Sequence, residues 1–208
     1  PFDGPEIEKA VPLIEPQAEI WASCQIGSDD ANRSYNESVS LVLTGSLDYK
    51  AMEQSLAEIV SRHETLRSGL SADGRQLCIF KTSFPEYNYE DLSGLSSNER
   101  DNRISAFLSQ NAQISFDLIN GPLFRVNLFK LGDRQHHLTL TTHHIICDGW
   151  SMGIVMKDLG TIYSAYKKNE RPNLDEPPSF ADYALQHRDF LHSAEYRTIE
   201  SYWLEQFK

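Results

Sequence analysis

The amino-acid sequence predicts an α+β fold, in which antiparallel hairpins alternate with amphipathic helices. Residues 123–131 and 137–142 are apolar runs joined by a connector of hairpin length, and residues 66–70 and 77–80 flank an Asp-Gly turn. Apolar residues recur at helical spacing elsewhere, for example in residues 151–168. A chain of 208 residues, 40% of them hydrophobic, can bury one substantial core. We therefore expect a single globular unit.

The first part of the chain predicts two helices around one strand. Residues 16–24 are expected to form a short helix with Pro16 in its first turn, and residues 27–33 a polar loop. Residues 39–43 have the apolar composition and alternation of a strand. Asp48 can then cap a helix whose apolar stripe packs on that strand. This stripe consists of Met52, Leu56, Ile59 and Val60.

The second part predicts four helices on either side of the second hairpin. Residues 81–95 look irregular, after which Ser97 or Asn98 is expected to cap a helix. The inward residues of that helix are Ile104, Phe107, Leu108 and Ala112. The helix over residues 151–168 is expected to face the core with Ile154, Val155, Leu159, Ile162 and Tyr166. After a linker, two further helices are predicted near residues 180–192 and 195–207.

Composition narrows the possible partners and the cellular compartment. The chain has 19 Lys and Arg against 30 Asp and Glu, a net charge of -11, which repels phosphate backbones and anionic lipid surfaces. No apolar run approaches the ~18 residues of a membrane span. Three cysteines without CxxC spacing are typical of free thiols in a reducing compartment. We expect a cytoplasmic protein that binds neither nucleic acid nor membrane.

Histidines cluster around the second strand of the second hairpin. Four of the seven lie within nine residues, namely His136, His137, His143 and His144. Because strand side chains alternate, His143 and His144 should point to opposite faces, so that one can enter a cleft while the other supports it. Asp148 follows four residues later and can fold back onto the same turn. If that carboxylate is buried it needs a cation, for which Arg67 is a candidate.

Two other interpretations of this cluster stay open at this stage. The histidines can be ordinary structural residues beside a turn aspartate, since HxxxD is a short pattern. A metal site would use His143, His144, Cys147 and Asp148. Adjacent strand histidines diverge, however, and no second ligand pair stands at zinc spacing, so we expect no metal. The sequence also lacks the GxGxxG and GxxxxGK[ST] patterns of nucleotide-binding sites.

Taken together, the motifs of this chain resemble those of the condensation domain of non-ribosomal peptide synthetases. The resemblance follows the family's order over nearly the whole chain. Its motifs are EPQAEIW (residues 15–21), RHETLR (62–67), FDL with GPL (116–118 and 121–123), HHIICDGWS (143–151) and FADYA (180–184). The intact histidine pair and Asp148 differ from the cyclising relatives, which have aspartates at the histidine positions.

The resemblance implies a fold and a set of roles for the site residues. It implies a chloramphenicol-acetyltransferase-like lobe, a two-layer α/β sandwich with a mixed, largely antiparallel sheet. His144 would face a tunnel between two lobes and either accept a proton from an amine or orient it. His143 and Asp148 would be structural, with Asp148 paired to Arg67. Gly149 would allow the backbone to approach the reacting groups.

The resemblance also implies domain organisation, activity and partners. Residues 1–208 would be the amino-terminal lobe, with helices from about residue 170 leading toward a second lobe that this chain lacks. The whole domain would form an amide bond between a carrier-bound acyl or peptidyl thioester and an aminoacyl thioester. Its partners would be donor and acceptor carrier proteins with phosphopantetheine arms, the second lobe and neighbouring modules, with no cofactor bound by this chain. The alternatives are a non-catalytic module that recruits carrier proteins and a coenzyme A dependent acyltransferase with an HxxxD site.

Overall fold

A computed structural model describes residues 4–207, which form seven strands and six α-helices. The strands are β1 (Ile7–Pro12), β2 (Asn36–Thr44), β3 (Ser68–Leu70), β4 (Gln76–Phe80), β5 (Glu86–Asp91), β6 (Phe124–Gly132) and β7 (Gln135–His143). The helices are α1 (Glu15–Ser34), α2 (Tyr49–Arg62), α3 (Ser97–Asn111), α4 (Gly149–Lys167), α5 (Phe180–Leu191) and α6 (Ala194–Gln206). A 3₁₀ turn, Glu64–Arg67, joins α2 to β3.

The strands build two sheets. The larger sheet has the order β2-β7-β6-β5, in which β5 and β6 are parallel and the other neighbours antiparallel. The smaller sheet, β1-β4-β3, is antiparallel throughout. The predicted α+β class with a mixed, largely antiparallel sheet is therefore confirmed.

The main core lies between the larger sheet and helices α2 and α4. Asp48 caps α2 by accepting a hydrogen bond from the Ala51 N–H at 3.0 Å, as predicted. All four residues of the predicted α2 stripe are buried in this core. Helix α3 packs on the opposite face of the sheet, where Ile104 and Phe107 contact Phe129 of β6. In the larger sheet, strand β7 lies between β2 and β6, so both of its edges are paired with a neighbouring strand.

Several local predictions were wrong. Residues 27–33 were expected to be a loop, but α1 continues through them with a kink at Ser28 (φ 52°). Helix α3 is capped by Ser96 rather than by Ser97 or Asn98, in a capping box with Glu99. Two side chains expected in the core lie at the surface, Ala112 just beyond α3 and Ile154 on α4.

Candidate active site

The site is built where β7 ends and α4 begins. The backbone N–H of His143 donates to the Leu123 carbonyl at 3.2 Å, and that of His144 donates to the Tyr35 carbonyl at 2.8 Å. These two hydrogen bonds tie the strand end to the segments that flank β6 and β2. The backbone of both histidines is therefore held by hydrogen bonds to the segments next to β6 and β2.

His143 points into the protein. Its side chain is fully buried beside the rings of Tyr35 and Phe116, and its Nδ1 accepts a hydrogen bond from the Ile145 N–H at 3.2 Å. Burial lowers its pKa to about 4, and a backbone hydrogen bond to Asn32 opposes this only in part. A neutral, buried ring supports the turn and is not exposed to a substrate.

His144 points to the other face, as strand alternation predicts, and its side chain is 38% exposed. Its Nδ1 is a buried atom that lies 2.9 Å from Oε1 of Glu37, on the neighbouring strand β2. The two groups are at ion-pair distance but are not aligned as a linear hydrogen bond. Its Nε2 is not among the buried nitrogens, and no residue within 4–207 forms a hydrogen bond with it. This nitrogen is therefore accessible and has no hydrogen-bond partner among the described residues.

Sequence analysis identified His144 but missed Glu37. Glu37 can be identified only from the register of β2 on β7, which is a feature of the structure. That register pairs Glu37 with Thr142, two residues before His144. Side chains two positions apart on a strand lie on the same face, so Glu37 and His144 share one face of the larger sheet.

Asp148 caps the start of α4. Its carboxylate accepts hydrogen bonds from the Ser151 N–H at 2.7 Å and from the Ser151 hydroxyl at 2.6 Å. The hydroxyl and then the N–H hold the pKa of this carboxyl below its usual range. The side chain is exposed, and the helix terminus supplies the positive partial charge that it needs.

The predicted ion pair between Arg67 and Asp148 is therefore wrong. Arg67 pairs instead with Glu8 of β1, where Nη1 lies 2.7 Å from Oε2, and it also donates to the Phe80 carbonyl. The argument for a cation assumed a buried carboxylate, but Asp148 is exposed and bound by Ser151. Arg67 holds the smaller sheet together and does not contact the site.

The other residues of the RHETLR motif are also structural. Arg62 Nε and His63 Nε2 each lie 3.1 Å from Oδ2 of the buried Asp158 on α4. Glu64 accepts hydrogen bonds from the Ala181 N–H and the Ser179 hydroxyl at the start of α5. Burial would raise the pKa of Glu64, but these bonds and the ammonium of Lys9 lower it. The motif thus fastens α2 to α4, α5 and β1.

The FADYA motif places α5 on the smaller sheet. Ala181 and Ala184 are buried against side chains from β1 and β4, namely Val11, Leu77 and Ile79. A cavity of about 330 Å³ remains between α5 and α4; its lining includes Cys147, Ser151 and Tyr183. Burial raises the pKa of the Cys147 thiol to about 11, so this thiol stays neutral at pH 7.

Gly149 is the first residue of α4 and is exposed. A Cβ at this position would meet nothing within 4 Å. No close contact within residues 4–207 therefore requires a glycine here, and its role toward reacting groups stays a prediction. The next residue, Trp150, is 83% exposed and lies beside the same turn.

The described residues form neither a metal cluster nor a membrane span. Within residues 4–207, no group of three or more His, Cys, Asp or Glu side chains is arranged to hold a metal ion. Among the same residues, no helix is both long and apolar enough to cross a membrane.

Comparison with known proteins gives the family. The sequence-family model of the condensation domain matches residues 7–208, so the chain belongs to the condensation-domain family. The matched residues are condensation-domain sequence of the kind found in non-ribosomal peptide synthetases. The chain is 33% identical to chondramide synthase cmdD of Chondromyces crocatus over 197 residues, which cover 93% of this chain and 5% of that protein. It is also 30% identical to bacitracin synthase 3 of Bacillus licheniformis, over 95% of this chain and 3% of that protein.

Solved structures show the same fold. The starter condensation domain of the rhizomide synthetase RzmA superposes with a TM-score of 0.85 at 24% identity, over 96% of this chain and 50% of that one. The complex of the X-domain and OxyB from teicoplanin biosynthesis matches with a TM-score of 0.75 at 27% identity, over 88% of this chain and 39% of that one. The chain therefore spans about half of the solved starter condensation domain and a few percent of its synthetase relatives.

Proposed function

We propose that this chain is the amino-terminal lobe of a condensation domain and supplies the histidine side of its active site. The reaction is amide formation between a donor acyl or peptidyl thioester and an acceptor aminoacyl thioester, each carried on the phosphopantetheine arm of a carrier protein. The observation that carries the proposal is His144. Its ring has a buried Nδ1 beside Glu37 and an unpartnered Nε2 on a partly exposed face of the described structure.

The chemistry requires one proton acceptor beside the attacking amine. The amine nitrogen attacks the donor thioester carbonyl, a C–N bond forms, and the C–S bond breaks to release the donor thiolate. His144 Nε2 accepts the proton that the amine loses and returns it to the thiolate, so that protons and electron pairs balance. Such a general base contributes about 10²- to 10⁴-fold in rate.

Positioning of the two arms is the larger part of the catalysis. Holding two tethered reactants at reacting distance can supply ~7 kcal/mol or more. We propose that a second lobe closes the tunnel over His144 and that carrier proteins dock at its two ends. The exposed Trp150 and the exposed apolar residues of α6, including Trp203 and Leu204, are among the described surfaces available for such contacts. We also propose a cytoplasmic location, on the basis of the three free cysteines.

His144→Ala in the whole condensation domain tests the proposal. Both carrier proteins are loaded, and amide formation is followed in a single turnover together with the melting temperature. We expect the rate to fall by about 10²-fold or more with little change in stability, since the side chain is partly exposed. His192→Ala, at the exposed end of α5, is the matched control. Unchanged amide formation by His144→Ala would contradict the proposal.

One alternative function has a specific observation in its favour. A structural neighbour at 27% identity is an X-domain in complex with OxyB, so one domain with this fold binds a partner protein. In a non-catalytic recruiting module, His144→Ala would leave partner binding intact and no amide product would form with any variant. A second alternative, a coenzyme A dependent acyltransferase, would be distinguished from the proposed function by its donor substrate. It would accept acyl coenzyme A in place of the acyl carrier protein.

A further inference from the structure

We infer that Glu37 is a positioning residue for the proposed reaction: its carboxylate holds His144 in the Nδ1–H tautomer, so that Nε2 presents its lone pair to the acceptor amine. The inference rests on the proposed function of His144. It concerns a residue that none of the motifs above contains, on a strand far from His144 in sequence.

The geometry brings the two side chains together on one face of the sheet. Glu37 is opposite Thr142 in the β2/β7 register, and the His144 N–H donates to the carbonyl of Tyr35, two residues before Glu37. Glu37 and His144 are therefore diagonal cross-strand neighbours, a separation that long side chains span. Their Oε1 and Nδ1 atoms are 2.9 Å apart, and the two side chains are 35% and 38% exposed.

The chemistry of the two groups then determines the tautomer. A neutral imidazole has one N–H donor and one acceptor nitrogen, whereas an ionised carboxylate only accepts. The buried Nδ1 of His144 has no hydrogen-bond partner among the described residues, and a lone pair placed 2.9 Å from a carboxylate oxygen would be repelled. A proton on Nδ1 makes the same contact attractive.

With the proton on Nδ1, the catalytic side of the ring is defined. Nε2 then has a free lone pair and lies on the accessible side of the ring. This is the state required whether His144 removes a proton from the amine or orients the amine through a hydrogen bond.

The neighbouring histidine is held in the opposite state. His143 Nδ1 accepts a hydrogen bond from the Ile145 N–H at 3.2 Å, so the proton of its neutral ring is on Nε2. Two adjacent histidines thus have different tautomers because one Nδ1 faces a carboxylate and the other a backbone N–H. His143 therefore provides an internal reference for any measurement made on His144.

Nuclear magnetic resonance of the protein labelled with ¹⁵N-histidine tests the inference directly. With the rings neutral, we expect the His144 signals of the Nδ1–H form and the His143 signals of the Nε2–H form. Glu37→Ala should convert His144 to Nε2–H, and Glu37→Asp, which keeps an acceptor, should retain part of the Nδ1–H form. Glu19→Ala, which removes an exposed carboxylate on α1, is the matched control and should change neither ring. Unaltered His143 signals show that each variant is folded.

Kinetics of the whole condensation domain give the second measurement. Glu37→Ala should lower kcat by about 10-fold or more with little change in KM, which is less than the loss expected for His144→Ala. No change of tautomer in Glu37→Ala would overturn the inference and leave the proposed function untouched. An Nε2–H signal for wild-type His144 would overturn the inference and also the role of Nε2 as the proton acceptor. A changed tautomer combined with full activity of His144→Ala would overturn the proposed function itself.

Discussion

Arg67 and Glu8 form an ion pair between the 3₁₀ turn and the edge of β1, with Nη1 and Oε2 2.7 Å apart. The arginine side chain is 11% exposed and the glutamate 37%. The same guanidinium donates to the backbone carbonyls of Ser61 and Phe80. One side chain therefore connects the end of α2 to both β1 and β4.

This arrangement predicts where Arg67 is energetically coupled. Glu8→Gln should lower the free energy of unfolding by at most ~1 kcal/mol, because the carboxylate is partly exposed. Arg67→Ala should cost ~2 kcal/mol, since the carbonyl contacts are lost as well. Double-mutant cycles by urea denaturation should show coupling of Arg67 to Glu8 and none to Asp148. Coupling of Arg67 to Asp148 and not to Glu8 would show that Arg67 and Asp148 form the ion pair that the structure contradicts.

Asp148 is expected to act as a helix cap. Asp148→Ala should lower the free energy of unfolding by about 1 kcal/mol, because the Ser151 N–H loses its acceptor. Asp148→Asn should be nearly neutral, since asparagine caps helices about as well as aspartate. Thermal denaturation of both variants, with Asp133→Ala as an exposed control, measures this difference. Equal losses for Ala and Asn would show that the charge of Asp148 has a role beyond the cap.

His143 should make stability depend on pH. Its pKa is about 4 in the folded chain against an ordinary 6.5, so below that ordinary value the unfolded state binds a proton that the native state does not. The stabilisation is fully present above pH ~6.5 and is lost as pH falls toward ~4, by on the order of 3 kcal/mol.

Urea denaturation across this window measures the effect. His143→Asn, which keeps an acceptor for the Ile145 N–H, should flatten the slope of stability against pH, whatever its effect at pH 7. The slope should not vanish, because burial also lowers the pKa of His63. His192→Asn should leave the slope as it is. If the stability of His143→Asn depends on pH as steeply as that of the wild type, groups other than His143 account for the acid sensitivity.

Residues 1–208 alone are predicted to fold cooperatively but not to condense substrates. The core between α2, α4 and the larger sheet is well packed, whereas the side chain of His144 is open to solvent. Neither thioester arm is then held at reacting distance. The experiment follows thermal unfolding and amide formation with both loaded carrier proteins, before and after addition of the second lobe. Turnover by the isolated chain near the rate of the whole domain would contradict the prediction.

Local signals in the sequence predicted the elements that depend on neighbouring residues. The cap at Asp48, the α2 stripe and the Asp-Gly hairpin involve contacts within a few positions. Strand β1 was missed because four of its six residues are exposed and show no alternation, and β5 because its sequence, EYNYED, is dominated by polar residues. Strand β5 owes its conformation to parallel pairing with β6, more than 30 residues further along the chain.

The same distinction between local and long-range contacts applies to the residues of the candidate site. His143, His144 and Asp148 were found because one short segment contains all three. Glu37 reaches His144 only through the register of β2 on β7, and Arg67 meets Glu8 through the pairing of β1 with β4. Long-range strand pairing determines both relationships, and one sequence gives no measure of it.

The contacts of the RHETLR segment have a consequence for how relatives of this chain are classified. Arg62 and His63 bind Asp158, Glu64 binds the start of α5, and Arg67 binds Glu8, so each of these side chains stabilises the scaffold. A relative that had lost His144 would still need all four to keep its helices in place. The segment therefore marks a shared scaffold, and its presence in a relative is not by itself evidence of turnover.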